Sequence, residues 1–350
     1  MGWWQALQGK VLLKYLMWRS RPGRITRYLA QKTYFQATPP VPDRVTVAAV
    51  QGELTLVSDP LDYARQMYSK VYQAAKRGAQ LVVFPEDNAS HLVGILPGLT
   101  GAGDVSEALG QIDPDLRVAD IFNYLTPVTN SVYFTVFRYL AARFKLYIMA
   151  GSIIVSSDSG QTVNEACLFG PGGEVVGRQR KLHLLPLEVE WGLSSGEQLP
   201  VFETAVGRIA FPICMDATYF ETFRIAAFNG AEAVIIPAAN PDEYNFWKEL
   251  RGVWPRVQES GVFGIRASMV GRIFGLTLTG RSGIFAPLEL TANKDGVLAQ
   301  AETPDRPEII VADLDYRVLR EYRRQNGFNR YLNKSLCQKY LPQLYGASLG

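Results

Sequence analysis

Three stretches of this chain, LVVFPE (81–86), RIAFPIC (208–214) and AEAVIIPAAN (231–240), are apolar almost from end to end. Short runs of this kind read as strands buried on both faces, and a sheet buried on both faces must be covered by helices. Helical patterns do fall between them. In DPLDYARQMYSKVYQAAKRGAQ (59–80) Leu61, Ala64, Met67, Val71 and Ala74 share one face, Asp59 can cap the start and Gly78 stops the run. YFETFRIAAFNG (219–230) is a second helix that ends on a glycine. Alternating strands are expected at RVTVAAVQG (44–52), and LYIMAGSIIVS (146–156) is a further strand. TVNEACLFGPGGEVVGRQRK (162–181) reads as a hairpin turning at Pro171-Gly172-Gly173. Later strands or strand–turn units are expected in 261–274, 278–288 and 308–315. Buried and half-buried strands with helices between them predict a layered αβ sandwich, with one core from about residue 44 to 315. A long segment, 88–145, has a Gly-rich middle, GILPGLTGAG, and then a helix rich in aromatics and arginine.

An apolar fraction of 47% with 20% charged residues in 350 suits a globular chain with a sizeable core. Cys167, Cys214 and Cys337 are scattered and odd in number, which argues against a disulfide scaffold and for a reducing, cytoplasmic setting. Two histidines, no CxxC and no HExxH leave little for a transition metal, so neither metal nor cofactor is expected. The net charge of +3 hides an asymmetry: residues 1–45 hold eight Lys and Arg against Asp43 alone, and the remainder holds 28 basic and 32 acidic residues. A neutral-to-acidic body with a basic arm does not look like a nucleic-acid binder. No run approaches the ~20 apolar residues of a membrane span.

The arm has aromatic character as well. Trp4, Leu7, Val11, Tyr15 and Trp18 share one helical face flanked by Lys10 and Lys14, while Leu13 and Met17 fall on the far side. Two expectations follow for residues 1–35: peripheral contact with an anionic membrane, or packing on the body or a second subunit. ATPPVPD (37–43) reads as a stiff linker into the domain.

Three polar residues stand where the pattern calls for apolar ones. Glu86 follows LVVFP, Lys181 follows the returning strand of the hairpin, and Cys214 follows AFPI. Taken singly, each has an ordinary explanation: a helix-initiating or paired acid, a solvated lysine, an inert buried cysteine. Burying charges at strand ends is costly unless they are paired. One shared pocket would account for all three. A thiol there would not need histidine. A lysine ammonium ~4 Å away is worth roughly 4 kcal/mol at an effective dielectric near 20, or up to ~3 pK units before desolvation and a carboxylate subtract from it. Alternatively the carboxylate takes the thiol proton directly during attack.

VVFPE, GEVVGRQRKLHL and ICMDATYFETFR together resemble the nitrilase superfamily of carbon–nitrogen hydrolases. The likeness extends through NGAEAVIIPAA and GRSGIFAP to the C-terminal LREYRRQNGFNRYLNKSLCQKYLPQLYG, roughly residues 44–346. The resemblance implies a catalytic triad of Glu86 as general base, Lys181 as the positive charge at the oxyanion and Cys214 as nucleophile. It implies an αββα sandwich domain over 44–318, behind an arm and linker at 1–43. A tail at 319–350 would pack on the domain or on a partner subunit, and a homodimer would stack four layers, αββααββα. Glu188, seven residues beyond the lysine, is the expected second glutamate, with Glu190 the alternative. The Met215 N–H would share the oxyanion hole, and its side chain departs from the Tyr or Trp of many relatives. Met215, Glu188 and His183 are the expected substrate-positioning residues. Asp216 and Arg224 would form a structural ion pair under the nucleophile, and Asn164 would order the strand turn. His91 is expected in a loop. The implied reaction is cleavage of a non-peptide C–N bond in an amide, a nitrile or an N-carbamoyl compound through a Cys thioester. Two rivals share the fold: acyl transfer to an amine acceptor, and a non-catalytic binding protein.

Overall fold

In the computed structural model, which describes residues 3–41, 43–97, 117–326 and 331–346 with side chains from Gly9 onward, β1 (Arg44–Glu53) lies at the centre of a thirteen-stranded sheet. On one side β1 pairs in parallel with β2 (Leu81–Val83), which pairs in parallel with β3 (Tyr147–Ser156). The antiparallel neighbours β4 (Thr162–Phe169) and β5 (Val175–Arg180) complete that half, and β13 (Glu308–Asp315) lies antiparallel on β1 with Ala48 opposite Val311. The end of β1 then pairs Gly52 with Met269 of β9 (Phe263–Ile273), where the second half begins. It continues through β8 (Ala233–Ala239), β7 (Gly207–Ala210) and β6 (Phe202–Thr204), with β10 (Leu276–Leu278), β11 (Gly283–Phe285) and β12 (Val297–Gln300) around β9.

The two halves face each other because successive strand residues point to opposite faces. Val45, Val47 and Ala49 of β1 join Leu81, Val83, Met149 and Leu168 against Ile209, Phe211, Ile235 and Ile265 of the other half. The alternate residues Ala48 and Val50 face outward, under Tyr63 and Met67 of α3 (Pro60–Lys76) and Tyr133 and Phe137 of α4 (Val118–Phe144). The second half is covered by α6 (Phe220–Phe228) and α8 (Val253–Ser260) through Phe223, Ala226 and Val257. Two short helices, α5 (Pro186–Glu190) and α7 (Phe246–Glu249), lie in the connections. The architecture is an αββα sandwich.

Two of the apolar runs stop pairing early. β2 ends at Val83 and β7 at Ala210, and each run then reaches a proline, Pro85 or Pro212, that has no N–H for a ladder. The chain is thereby free to turn just before Glu86 and Cys214. The aromatics of α4 are core: Tyr133, Phe137 and Phe144 are fully buried. His91 is not in a loop. It lies buried in a 3-10 helix, Ser90–Ile95, with Nδ1 2.6 Å from Thr55 O, and burial together with nearby Lys70 lowers its pKa to about 3. Most of the Gly-rich middle of 88–145 lies outside the described residues.

The arm packs on the body and also keeps an outward face. In α1 (Trp3–Arg19) and α2 (Pro22–Ala30), Leu16, Ile25 and Leu29 are buried. Arg19 and Arg24 each meet Asp59 at 2.8 Å, the acid that also caps α3 by accepting from Leu61 N at 2.8 Å. Val11, Tyr15 and Trp18 stay exposed at 61%, 51% and 59%. The side chains of Trp4 and Leu7, expected on that face, lie outside the described residues. No helix among the described residues is long and apolar enough to cross a membrane. At the other end α9 (Tyr316–Asn326) spans the boundary expected at 318/319. Tyr316 and Leu319 are buried, and Arg323 donates to Ala231 O and Gly261 O, both at 2.6 Å. α10 (Lys334–Gly346) buries no side chain, and Tyr345 donates to Glu221.

Candidate active site

Each of the three polar strand-end residues is delivered by a local device. After β2, Pro85 runs so close to β3 that a Cβ on Gly151 would lie 1.9 Å from Pro85 O. Only glycine permits that approach, and it seats Glu86 in the interior, 2% exposed. Lys181 follows β5, its N–H donated to Asn164 O at 2.9 Å, and is 1% exposed. Cys214 opens a 3-10 turn, Cys214–Thr218, in a left-handed conformation with φ 47°. Such a φ is uncommon for a residue with a side chain and marks a constrained position.

The three meet. Lys181 Nζ lies 2.8 Å from Glu86 Oε1 and 2.7 Å from Glu188 Oε2. Asn164 Nδ2 donates to Glu86 Oε1 at 2.9 Å and to Glu188 Oε1 at 3.3 Å. Glu86 Oε2 accepts from Ala239 N at 2.8 Å, at the end of β8. The Cys214 thiol lies in electrostatic reach of the Glu86 carboxyl and of the Ala239 N–H. Glu188 is held in turn by Leu185 N at 2.8 Å, at the start of α5, whereas Glu190 is exposed.

The electrostatics set the resting proton positions. Burial pushes the Glu86 carboxyl up, Lys181 opposes and Glu188 adds. Burial works against the Lys181 ammonium, but Glu86, Cys214 and Glu188 outweigh it and hold the proton well above the usual lysine range. Burial, then Glu86, raises the Cys214 pKa, and Lys181 does not compensate. Of the two routes open from the sequence, a lysine-promoted thiolate does not match this balance. The resting sulfur is a thiol beside a carboxyl that can take its proton.

Asp216 clips the cysteine turn to the lysine segment. It is fully buried and accepts from Ile213 N at 2.8 Å, from His183 N at 2.7 Å and from Leu182 N, and lies 2.9 Å from His183 Nδ1. The ion pair expected with Arg224 is replaced on the aspartate's side by these donors, and the Arg224 guanidinium lies over the Phe220 ring at 5.3 Å. His183 stacks on Tyr219 with ring centroids 4.3 Å apart. Met215 is half-buried, and its sulfur accepts from Thr218 Oγ1 at 3.6 Å.

Two residues beside the triad escaped the sequence reading. Ala239 contributes only its N–H, which has no side-chain signal. Asp87 immediately follows Glu86, with φ 56°, and burial with the charges of Glu86 and Glu188 pushes its carboxyl well above the usual range. The signal for Asp87 was two consecutive acids after a buried strand. Cys167 is buried in the core, its thiol pushed up to about 12 by burial, and Cys337 lies in α10. Among the described residues no group of three or more His, Cys, Asp or Glu is placed to hold a metal ion.

The sequence profile of the carbon–nitrogen hydrolase family matches residues 46–324. A probable hydrolase of Bacillus subtilis (strain 168), YhcX, is 29% identical over 312 residues, which cover 87% of this chain and 56% of that protein. The omega-amidase NIT2 of Bos taurus is 25% identical over 271 residues, covering 73% and 83%. This chain thus spans little more than half the length of the Bacillus protein. Its fold is similar to that of an amidase from Nesterenkonia sp. AN1, at 20% identity and a TM-score of 0.62, over 87% of this chain and 100% of that one. The structure is of a mutant of that amidase, with the acetamide moiety of fluoroacetamide added covalently at the active-site cysteine.

Proposed function

Since the chain belongs to the carbon–nitrogen hydrolase family, with 46–324 matching its profile, we propose that it hydrolyses a small amide through Cys214, Glu86 and Lys181. The observation that carries this reading is the Glu86 carboxyl, buried, bonded to the Lys181 ammonium at 2.8 Å and in electrostatic reach of the Cys214 thiol. Glu86 takes the thiol proton as sulfur attacks the carbonyl carbon. The Lys181 ammonium and the Met215 N–H meet the charge that develops on oxygen. Glu86 then gives its proton to the nitrogen, the C–N bond breaks, and ammonia or an amine leaves a thioester on Cys214. Water attacks that thioester, losing a proton to Glu86 and its oxygen to the carboxylic acid product, and the proton returns to sulfur. Glu188 holds Lys181 and Asn164 in position throughout. The omega-amidases to which the chain is similar support an amide, and a nitrilase of Pyrococcus abyssi, similar at 26% identity, keeps a nitrile in the test. The test is a panel of primary amides, nitriles and N-carbamoyl compounds with ammonia detection. Amides should give ammonia, and Cys214→Ala should give none. Ammonia from Cys214→Ala at the full rate would overturn the reading.

The exposed face of α1 supports a membrane surface as the location of the reaction. Val11, Tyr15 and Trp18 are exposed with Lys10, Lys14 and Arg21 around them, and no acidic residue precedes Asp43. An aromatic stripe flanked only by cations fits the headgroup region of an anionic membrane.

A further inference from the structure

Asp87 has no task in the reaction just described, yet it is placed as if it had one. Its N–H is fixed by Ser152 Oγ at 2.9 Å, and its Oδ1 is sealed from solvent with no hydrogen-bond partner among the described residues. A buried carboxyl oxygen without a donor is costly to keep. The side chain lines a cavity of about 100 Å³ whose other walls include Leu54, Val93, Ile121, Phe122 and Trp191. A cavity of about 150 Å³ accepts a benzene ring, so this one fits a short aliphatic chain. Leu54, Ile273, Phe274 and Leu278 are shared with a wider cleft of about 920 Å³. The charged residues on that cleft's wall are Glu53, Glu243, Asp305 and Arg272, so a cation approaching through it is favoured over an anion. Lys70 lies in electrostatic reach of Glu53.

Building on the amide-hydrolase reading, we propose that this cavity takes the short aliphatic part of a substrate carrying a primary ammonium group, which donates to Asp87. A substrate carrying a carboxylate there would instead face the Asp87 carboxyl, which has Glu86 and Glu188 in electrostatic reach. Burial first, then Glu86 and Glu188, push the Asp87 pKa up against the pull of Lys181, so an arriving ammonium relieves the cost of the charged carboxylate.

Isothermal titration of the full chain with butylammonium, 1-butanol and butyrate tests this. A charge-assisted bond to Asp87 should make butylammonium bind at least about tenfold tighter than 1-butanol. Butyrate should bind more weakly than either. Asp87→Asn should bring butylammonium to within about twofold of butanol. Val118→Trp, which fills the cavity from its rim, should abolish binding of both, and unchanged melting midpoints would show both variants folded. Equal affinity for butylammonium and butanol, or a preference that survives Asp87→Asn, overturns the proposal. The outcome is separable from the reaction itself. An Asp87-dependent ammonium preference in a chain that releases ammonia from no amide keeps the cation site and removes the hydrolase reading. Amide hydrolysis with no ammonium preference does the reverse.

Discussion

At Cys214 two effects compete, and burial with the adjoining carboxyl outweighs the lysine. Glu86 must therefore be in its carboxylate form to start each turnover. Its pKa is raised from 4.5, so kcat/KM should rise with pH along a limb displaced above the ordinary carboxylate range. Lys181 keeps its proton well above 10.5 and should impose no alkaline limb below that pH. Glu86→Gln should lower kcat/KM by about 10²- to 10⁴-fold. Lys181→Met should cost about 10²- to 10³-fold as an oxyanion partner. It should also leave Glu86 and Glu188 facing each other uncompensated. The acid limb should then move further up, and a denaturant titration should show about 3–5 kcal/mol of lost stability. An unmoved limb in Lys181→Met would mean the lysine does not govern the Glu86 proton. The triad residues were legible because charged side chains at the ends of apolar runs are expensive to bury singly. Asp87 was not, because one acid after another reads as a helix start until the cavity beside it is known.

Elements were legible where one pattern decided them and illegible where backbone detail did. The spacing in 59–80, its cap and its stop glycine gave α3 nearly to the residue, whereas LVVFPE and RIAFPIC read as longer strands than they form. Hydrophobicity continues through Phe84 and Phe211, while the missing N–H of Pro85 and Pro212 belongs to the ladder and not to the apolar pattern. Asp59 shows how one residue can join elements: it caps α3 and holds Arg19 and Arg24 of the arm. Asp59→Ala should cost about 1 kcal/mol through the cap alone, and amide exchange in residues 9–30 should quicken. Asp59→Asn keeps the cap oxygen and loses the charge, so it should recover much of the stability and little of the arm's protection. The two arginines and the Leu61 N–H outweigh burial and lower the Asp59 pKa to about 2. This contribution is therefore present above 3.8 and lost only as pH falls toward 2, so the wild-type and Asp59→Ala melting curves should converge there. Curves that stay parallel down to that pH would contradict the clamp.

Over the whole molecule, the sandwich followed from the mixture of buried and alternating strands, but the folding of one sheet into two facing halves through Gly52 and Met269 did not. The arm shows the limit of periodicity: the spacing found an aromatic face correctly and could not say that a different face, through Leu16, is the one that packs. If the exposed face meets lipid, the full chain should sediment with phosphatidylserine vesicles at low salt and be released at high salt. Tyr15→Ser with Trp18→Ser should remain in the supernatant, and equal sedimentation of this variant would exclude the lipid contact. The chemistry depends on three segments far apart in the chain sharing one cavity. The most direct measurement is intact-mass analysis and peptide mapping of the chain, acid-quenched during turnover of the amide panel. The account predicts one acyl group, on Cys214, and none on Cys167 or Cys337. Ammonia released while Cys214 stays unmodified would contradict it.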